Sequence, residues 1–210
     1  NEPISRLANK PIADSLKESL KTLAYKPLQR IQLSENLTID LVDLNDPRHN
    51  QDSLFIDDKD IENLYSWLSK PQTQIISCGI EALGQLLKSK GINKSVEELA
   101  ALAILIDFLR GNLKGQIETD TRELKNSLYA LTKVAQNYGI TLYPIKLDSP
   151  HLSPFTFSAA GRPASGGHLS PFIAHILPEH FVLVTSMNKI QDKVYFVDKR
   201  KSTFLPTDKF

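Results

Sequence analysis

Apolar residues recur at spacings of three and four at Ile12, Leu16, Leu20 and Leu23, which predicts an amphipathic helix over 12–23. The rhythm then changes. In "QRIQLSENLTIDLVDL" (29–44) apolar and polar positions alternate in two short runs separated by "SEN", the pattern of a β-hairpin. "NDPRHNQDS" (45–53) is a loop by composition. "DKDIENLYSWLSK" (58–70) returns to helical spacing at Ile61, Leu64 and Leu68, with acidic residues at its start, Lys70 at its end and Pro71 just beyond. From Cys78 to Lys90 a further helix sets Ala82, Leu83, Leu86 and Leu87 on one face, with Gly91 as its stop. Ser95 and Glu98 form a capping box that opens a helix through "AALAILIDFL". A third helix in this stretch is expected over 121–139, with Leu124, Leu128, Leu131 and Ala135 in register and Gly139 as its end.

Beyond Gly139 the pattern becomes β-like. "ITLYPI" (140–145) reads as a strand, and "FIAHI", "HFVLVTS" and "KVYFVD" as three more β-rich runs. Between them "SPHLSPFTFSAAGRPASGGHLSP" (149–171), rich in Gly, Pro and Ser, is a long loop of the kind that is often functional. Helices come first and antiparallel strands last, so the fold class is α+β. There is no internal repeat.

At 210 residues and 41 % hydrophobic content the chain can bury a sizeable core, as one domain or as one domain with a smaller attachment. Residues 1–65 are expected to form a helix-plus-hairpin extension and residues 66–210 the main domain. A formal net charge of +1 gives no footprint for nucleic acid or an anionic membrane. The longest apolar run, "LAALAILIDFL", is interrupted by Asp107 and is too short for a bilayer span, so it predicts a buried helix. The start "NEPISRLANK" has neither an initiator Met nor an apolar signal core, which suggests a processed product or one part of a longer polypeptide. A single cysteine excludes an internal disulfide and a cysteine-based metal cluster, and leaves the compartment open.

That cysteine is the candidate for chemistry. A free cysteine is ordinarily a small buried hydrophobe. Cys78, however, begins a helix, where unpaired N–H groups and the positive end of the dipole favour thiolate over thiol. Gly79 leaves room for a substrate backbone to approach. A nucleophile needs a base, and there are five histidines. His49, His151 and His168 fall in loops, whereas His175 and His180 fall on strands. If "HFVLVTSMNKIQDKVYFVD" is a hairpin centred on Lys189, Val184 faces Val194, Val182 faces Phe196 and His180 faces Asp198. Directly opposed residues share a face with Cβ atoms roughly 4.5–5.5 Å apart, so the carboxylate can orient the imidazole as the third member of a catalytic triad. A slip of one residue would destroy the arrangement. His175 gains no such partner.

With these residues in place, the chain from about Trp67 to Phe210 resembles the bacterial bacteriocin-processing, double-glycine leader peptidases, cysteine peptidases of papain-like fold. The matching pieces are "QTQIISCGIEALGQLLKSKGI", "SVEELAAL", "LKNSLYALTKVAQNYGITLYPIKL", "PFIAHILPEHFVLV" and "KVYFVDKRKSTFLPTDKF". The resemblance implies a papain-like cysteine peptidase domain over 66–210, with helices packed on a C-terminal antiparallel sheet. It places the nucleophile at Cys78, the general base at His180, the orienting aspartate at Asp198 and the oxyanion-hole amide at Gln72, with Gln74 as its substitute. It implies hydrolysis of a peptide or protein substrate, such as a leader or precursor peptide, without metal or organic cofactor. Residues 1–65 would then cover the cleft or dock a partner.

Several features depart from that family. Asp198 is followed by "KR" where the family commonly has Pro, and Ser77 stands where it has Asp or Glu. Some seventy residues precede the nucleophile, and the connection before His180 is long. These differences bear on leader specificity more than on the catalytic groups. Gly166–Gly167 is ordinary loop composition, although a double glycine there also has the form of a self-processing site. Two alternatives use the same residues: a catalytically silent peptide-binding relative, and an acyl transferase that passes the thioester to an amine.

Overall fold

A computed structural model of the chain describes residues 5–23, 30–40, 57–143, 171–176, 180–188, 191, 193–198 and 201–206. The expected loops over 45–53 and, up to residue 170, 149–171 lie outside these residues, and with them His49, His151, His168 and Gly166–Gly167. The described elements mix helices with two antiparallel sheets, an α+β arrangement. They cluster into two compact units, one of residues 1–77 and 95–140 and the other of residues 78–94 and 141–210. The expected boundary between residues 65 and 66 does not coincide with a junction between these units.

The first unit is mainly helical. Helix α1 (Ser5–Leu23) begins earlier than its apolar spacing suggests and runs through Pro11, whose missing N–H removes one intrahelical bond. Ile12, Ala13, Leu16 and Leu20 are buried, and α1 packs on α2 (Asp58–Leu68) and α4 (Val96–Leu109). Strands β1 (Arg30–Ser34) and β2 (Leu37–Asp40) form the expected hairpin, with Ile31 opposite Ile39. Ile31, Leu37 and Ile39 are its buried face, and β2 packs on α6 (Leu128–Asn137). Helix α2 starts at a reciprocal capping box between Asp57 and Asp60. Its buried stripe includes Trp67 besides Ile61, Leu64 and Leu68, and the Trp67 indole donates to the Thr121 carbonyl at 2.9 Å.

Beyond Glu97 and Glu98 in its first turn, helix α4 is apolar nearly all round except for Asp107, which is fully buried. Buried carboxylates need partners, and this one has several. It accepts from Asn112 Nδ2 at 3.0 Å, Asn126 Nδ2 at 3.3 Å, the Ser127 amide at 2.9 Å and the Ser127 hydroxyl. Asn126 Oδ1 in turn accepts from the Ser77 hydroxyl at 2.7 Å.

This network explains why the helix expected over 121–139 begins only at Leu128. Ser127 is its N-cap, accepting from the Ala130 amide while bonded to Asp107. The residues before it are extended: Gln74 bridges Glu123 in parallel, and the Leu124 amide donates to the Gln74 carbonyl. Leu124 is buried from that segment, whereas Leu128, expected on the apolar face, is 47 % exposed. A short helix α5 (Lys114–Glu118) precedes this segment.

The second unit joins helix α3 (Cys78–Ser89) to a four-stranded sheet. The helix ends as expected at Gly91, whose φ of 81° lets the Gly91 and Ile92 amides return to the Lys88 and Leu87 carbonyls. The sheet runs β3 (Phe172–Ile176), β4 (His180–Asn188), β5 (Lys193–Asp198) and β6 (Lys201–Pro206), all neighbours antiparallel. Residues 140–143 belong to no strand, so the expected strand over 140–145 does not form in its described part, and Leu142 packs beside the sheet instead.

Period-two alternation gives the sheet two apolar faces. On one, Val182, Val184, Val194 and Phe196 are buried, with Phe172, Ala174, Ile176 and Leu205 around them. On the other, Phe181, Leu183, Ile173 and Val197 meet Ala82 and Leu86 of α3.

Candidate active site

Cys78 is the first residue of α3, half-buried and unpaired in any disulfide. The local sequence explains its place. Gly79, Ile80, Ala82 and Leu83 of the first turns are buried, so the helix is held by its apolar stripe and its N-terminal residue is carried to the sheet. The sulfur meets β4 at the backbone: the Phe181 amide donates to Sγ at 3.3 Å.

The residue before that amide is His180, the first residue of β4. Its Nε2 lies 2.8 Å from Asp198 Oδ1, at the last residue of β5, and both side chains are partly exposed. In the neutral ring this bond assigns the proton to Nε2 and leaves Nδ1 as the lone-pair nitrogen. Among the described residues the sulfur and the imidazole are not hydrogen-bonded to each other. The sulfur rests on the amide and the ring on the carboxylate.

The imidazole and carboxylate meet by a different register from the one expected. Val184 pairs with Phe196 and Leu183 with Val197, so continuation of the ladder sets Asp198 opposite Val182 and diagonal to His180. The hairpin centre lies beyond Lys189, between Asn188 and Lys193. The displacement from the expected pairing at His180 is two residues, which preserves the face; diagonal neighbours remain within reach of a long side chain. Nearer the turn, Ser186 pairs with Tyr195 and Met187 with Val194, a register that differs by one. Thr185 is the extra residue of a β-bulge that reconciles the two. Its hydroxyl donates to the Tyr195 carbonyl at 3.2 Å. Without the bulge Leu183 would oppose Asp198, and the carboxylate would point to the face that His180 does not share.

His175, the other strand histidine, lies on β3 opposite Phe181. It is exposed and stacks on the Phe181 ring, centroids 4.5 Å apart, with no carboxylate partner among the described residues. Gln72 is exposed in the turn after α2, in the first unit, and Gln74 lies two residues on, its amide donating to the Ile76 carbonyl at 3.3 Å. Among the described residues no group of three metal-ligating side chains converges.

The contact that sequence reasoning missed is the Phe181 amide on the sulfur. A backbone donor has no side-chain signature, and only the pairing of β4 with α3 places it. Comparison with protein-family models, with curated proteins and with solved structures found no match.

Proposed function

We propose that this chain is a papain-like cysteine peptidase, similar to the double-glycine leader peptidases, with Cys78 as nucleophile, His180 as base and Asp198 as the group that orients the base. The observation that carries the reading is one chain of contacts: carboxylate to imidazole at 2.8 Å, and the very next amide to sulfur at 3.3 Å. The amide contact and standard backbone lengths put the His180 Cα within about 6 Å of Sγ. Catalytic hydrogen bonds are commonly long in the free enzyme and tighten with substrate.

In this reading Nδ1 takes the thiol proton while Asp198 steadies the imidazolium through Nε2. The thiolate attacks the scissile carbonyl carbon, forming a C–S bond and a tetrahedral oxyanion. The Cys78 backbone N–H is one donor to it, and the family resemblance implies the Gln72 amide as the other. Collapse breaks the C–N bond as the imidazolium returns its proton to the leaving amine. Water, deprotonated by the same imidazole, then cleaves the thioester and regenerates the thiol. The N-terminus of α3 favours negative charge on the sulfur at the start of this cycle.

A peptide library incubated with the protein, followed by mass spectrometry, tests the reading. The expected results are cleaved peptides and a transient acyl adduct on Cys78. Cys78→Ser abolishes both with nearly unchanged melting temperature. His180→Ala lowers kcat by about 10²–10⁴, and Gln72→Ala by about 10²–10³. Products carrying an added amine in place of water would move the reading to acyl transfer. Binding without turnover or adduct would overturn it in favour of a silent peptide-binding module.

A further inference from the structure

The sulfur makes its hydrogen bond to a group that carries no charge, titrates at no ordinary pH and cannot rotate away. We propose that the backbone amide of Phe181 is a catalytic group in its own right: it holds the Cys78 sulfur as thiolate independently of His180. This rests on the reading of Cys78 as nucleophile, and deepens it by dividing the activation of the sulfur between two donors.

The geometry supports the assignment. The Phe181 N–H is within 3.3 Å of Sγ, and a hydrogen bond to an ionised acceptor is roughly twice as strong as one between neutral groups. The donor is fixed twice over. Its residue pairs with His175 of β3, and its ring is packed with Leu183 and Val197 against Ala82 and Leu86 of α3. A donor that is already aimed needs no reorganisation as charge develops on the sulfur. The dipole of α3 acts on the same atom from the helix side.

The imidazole, meanwhile, is engaged with Asp198 through Nε2. The two functions therefore separate. The amide stabilises the thiolate, and His180 moves protons. The same peptide link carries both, since the His180–Phe181 bond joins the base to the donor.

The test replaces that amide by an ester, with phenyllactic acid in place of Phe181, which removes the N–H and keeps the ring. The readout is the pH profile of Cys78 alkylation by iodoacetamide, which requires no peptide turnover. The ester variant is expected to move the profile about one pH unit to the alkaline side. An ester at position 182, whose N–H does not touch the sulfur, controls for general weakening of β4 and leaves the profile in place. In His180→Ala, alkylation is expected to fall far less than hydrolysis, and addition of the 181 ester brings it to the behaviour of an ordinary cysteine. A folded 181 ester with the wild-type alkylation profile would overturn the assignment, as would equal shifts from the 181 and 182 esters. Loss of the peptidase reading shows differently, as absent hydrolysis in the unaltered protein, whatever the alkylation profile does.

Discussion

Asp107 is the residue on which the most local structure converges. One buried carboxylate ties the end of α4 to Asn112, to Asn126 and to the N-cap of α6. Asp107→Ala strands several donors at once, each at about 1–3 kcal/mol, so denaturant unfolding is expected to show a loss of about 3 kcal/mol or more. A second residue gives a pH signature. Desolvation, reinforced by the hydrogen bond to Glu98, raises the Tyr138 phenol from its ordinary 10.0 to about 12. Between these values the unfolded chain ionises the phenol while the folded chain keeps it neutral. The stability is therefore whole below pH 10 and is lost as pH rises towards 12. Tyr138→Phe is expected to flatten that alkaline decline in thermal melts at pH 9 and 11. The single thiol belongs to this scale as well. Its position at the start of a helix was legible from Gly91 and the Ala82–Leu86 stripe, whereas its donor was not.

At the level of elements, the hairpin of β4 and β5 makes a sharper prediction. Thr185 is surplus to the pairing, and the ladders on either side of it are already in place. Deletion of Thr185 is expected to leave a regular ladder, with His180 and Asp198 still sharing a face and the melting temperature little changed. Deletion of Tyr195 shifts Asp198 opposite Leu183 and is expected to abolish the His180–Asp198 bond, as read from the imidazole signals by NMR. The same hairpin shows how far a sequence carries. Alternation in "HFVLV" and "KVYFVD" placed both strands and put His180 and Asp198 on one face, because an error of two residues in register changes no face. The turn and the bulge depend on local twist and were not legible. β6 was missed because Lys201–Phe204 is exposed throughout, so "KSTFLP" shows no buried alternation. Leu124 misled for the opposite reason: it is apolar, buried and in helical phase with Leu128 and Leu131, but the backbone around it bonds to Gln74. Capping signals did better than periodicity, and Ser95 and the terminal Gly139 fall where they were expected.

For the molecule as a whole, the packing of the first unit bears on where the chain can be cut. Helix α1 packs on α2 and α4, and β2 packs on α6. A fragment of residues 66–210 would lose α1, the hairpin and most of α2, and would uncover apolar surface on α4 and α6. That fragment is expected to lose the cooperative melt of the full chain, seen by circular dichroism, however complete the set Cys78, His180 and Asp198 remains. No helix among the described residues is long and apolar enough to cross a membrane. The backbone passes from one unit to the other at Ser77–Cys78, at Lys94–Ser95 and at Ile140–Thr141. A nick at any one of these three junctions leaves both units covalently tethered, and the stretch 78–94 can be freed only by a double cut. Shuffling at the gene level meets the same obstacle: neither unit is a contiguous exon-like block, so their fates in recombination are joined.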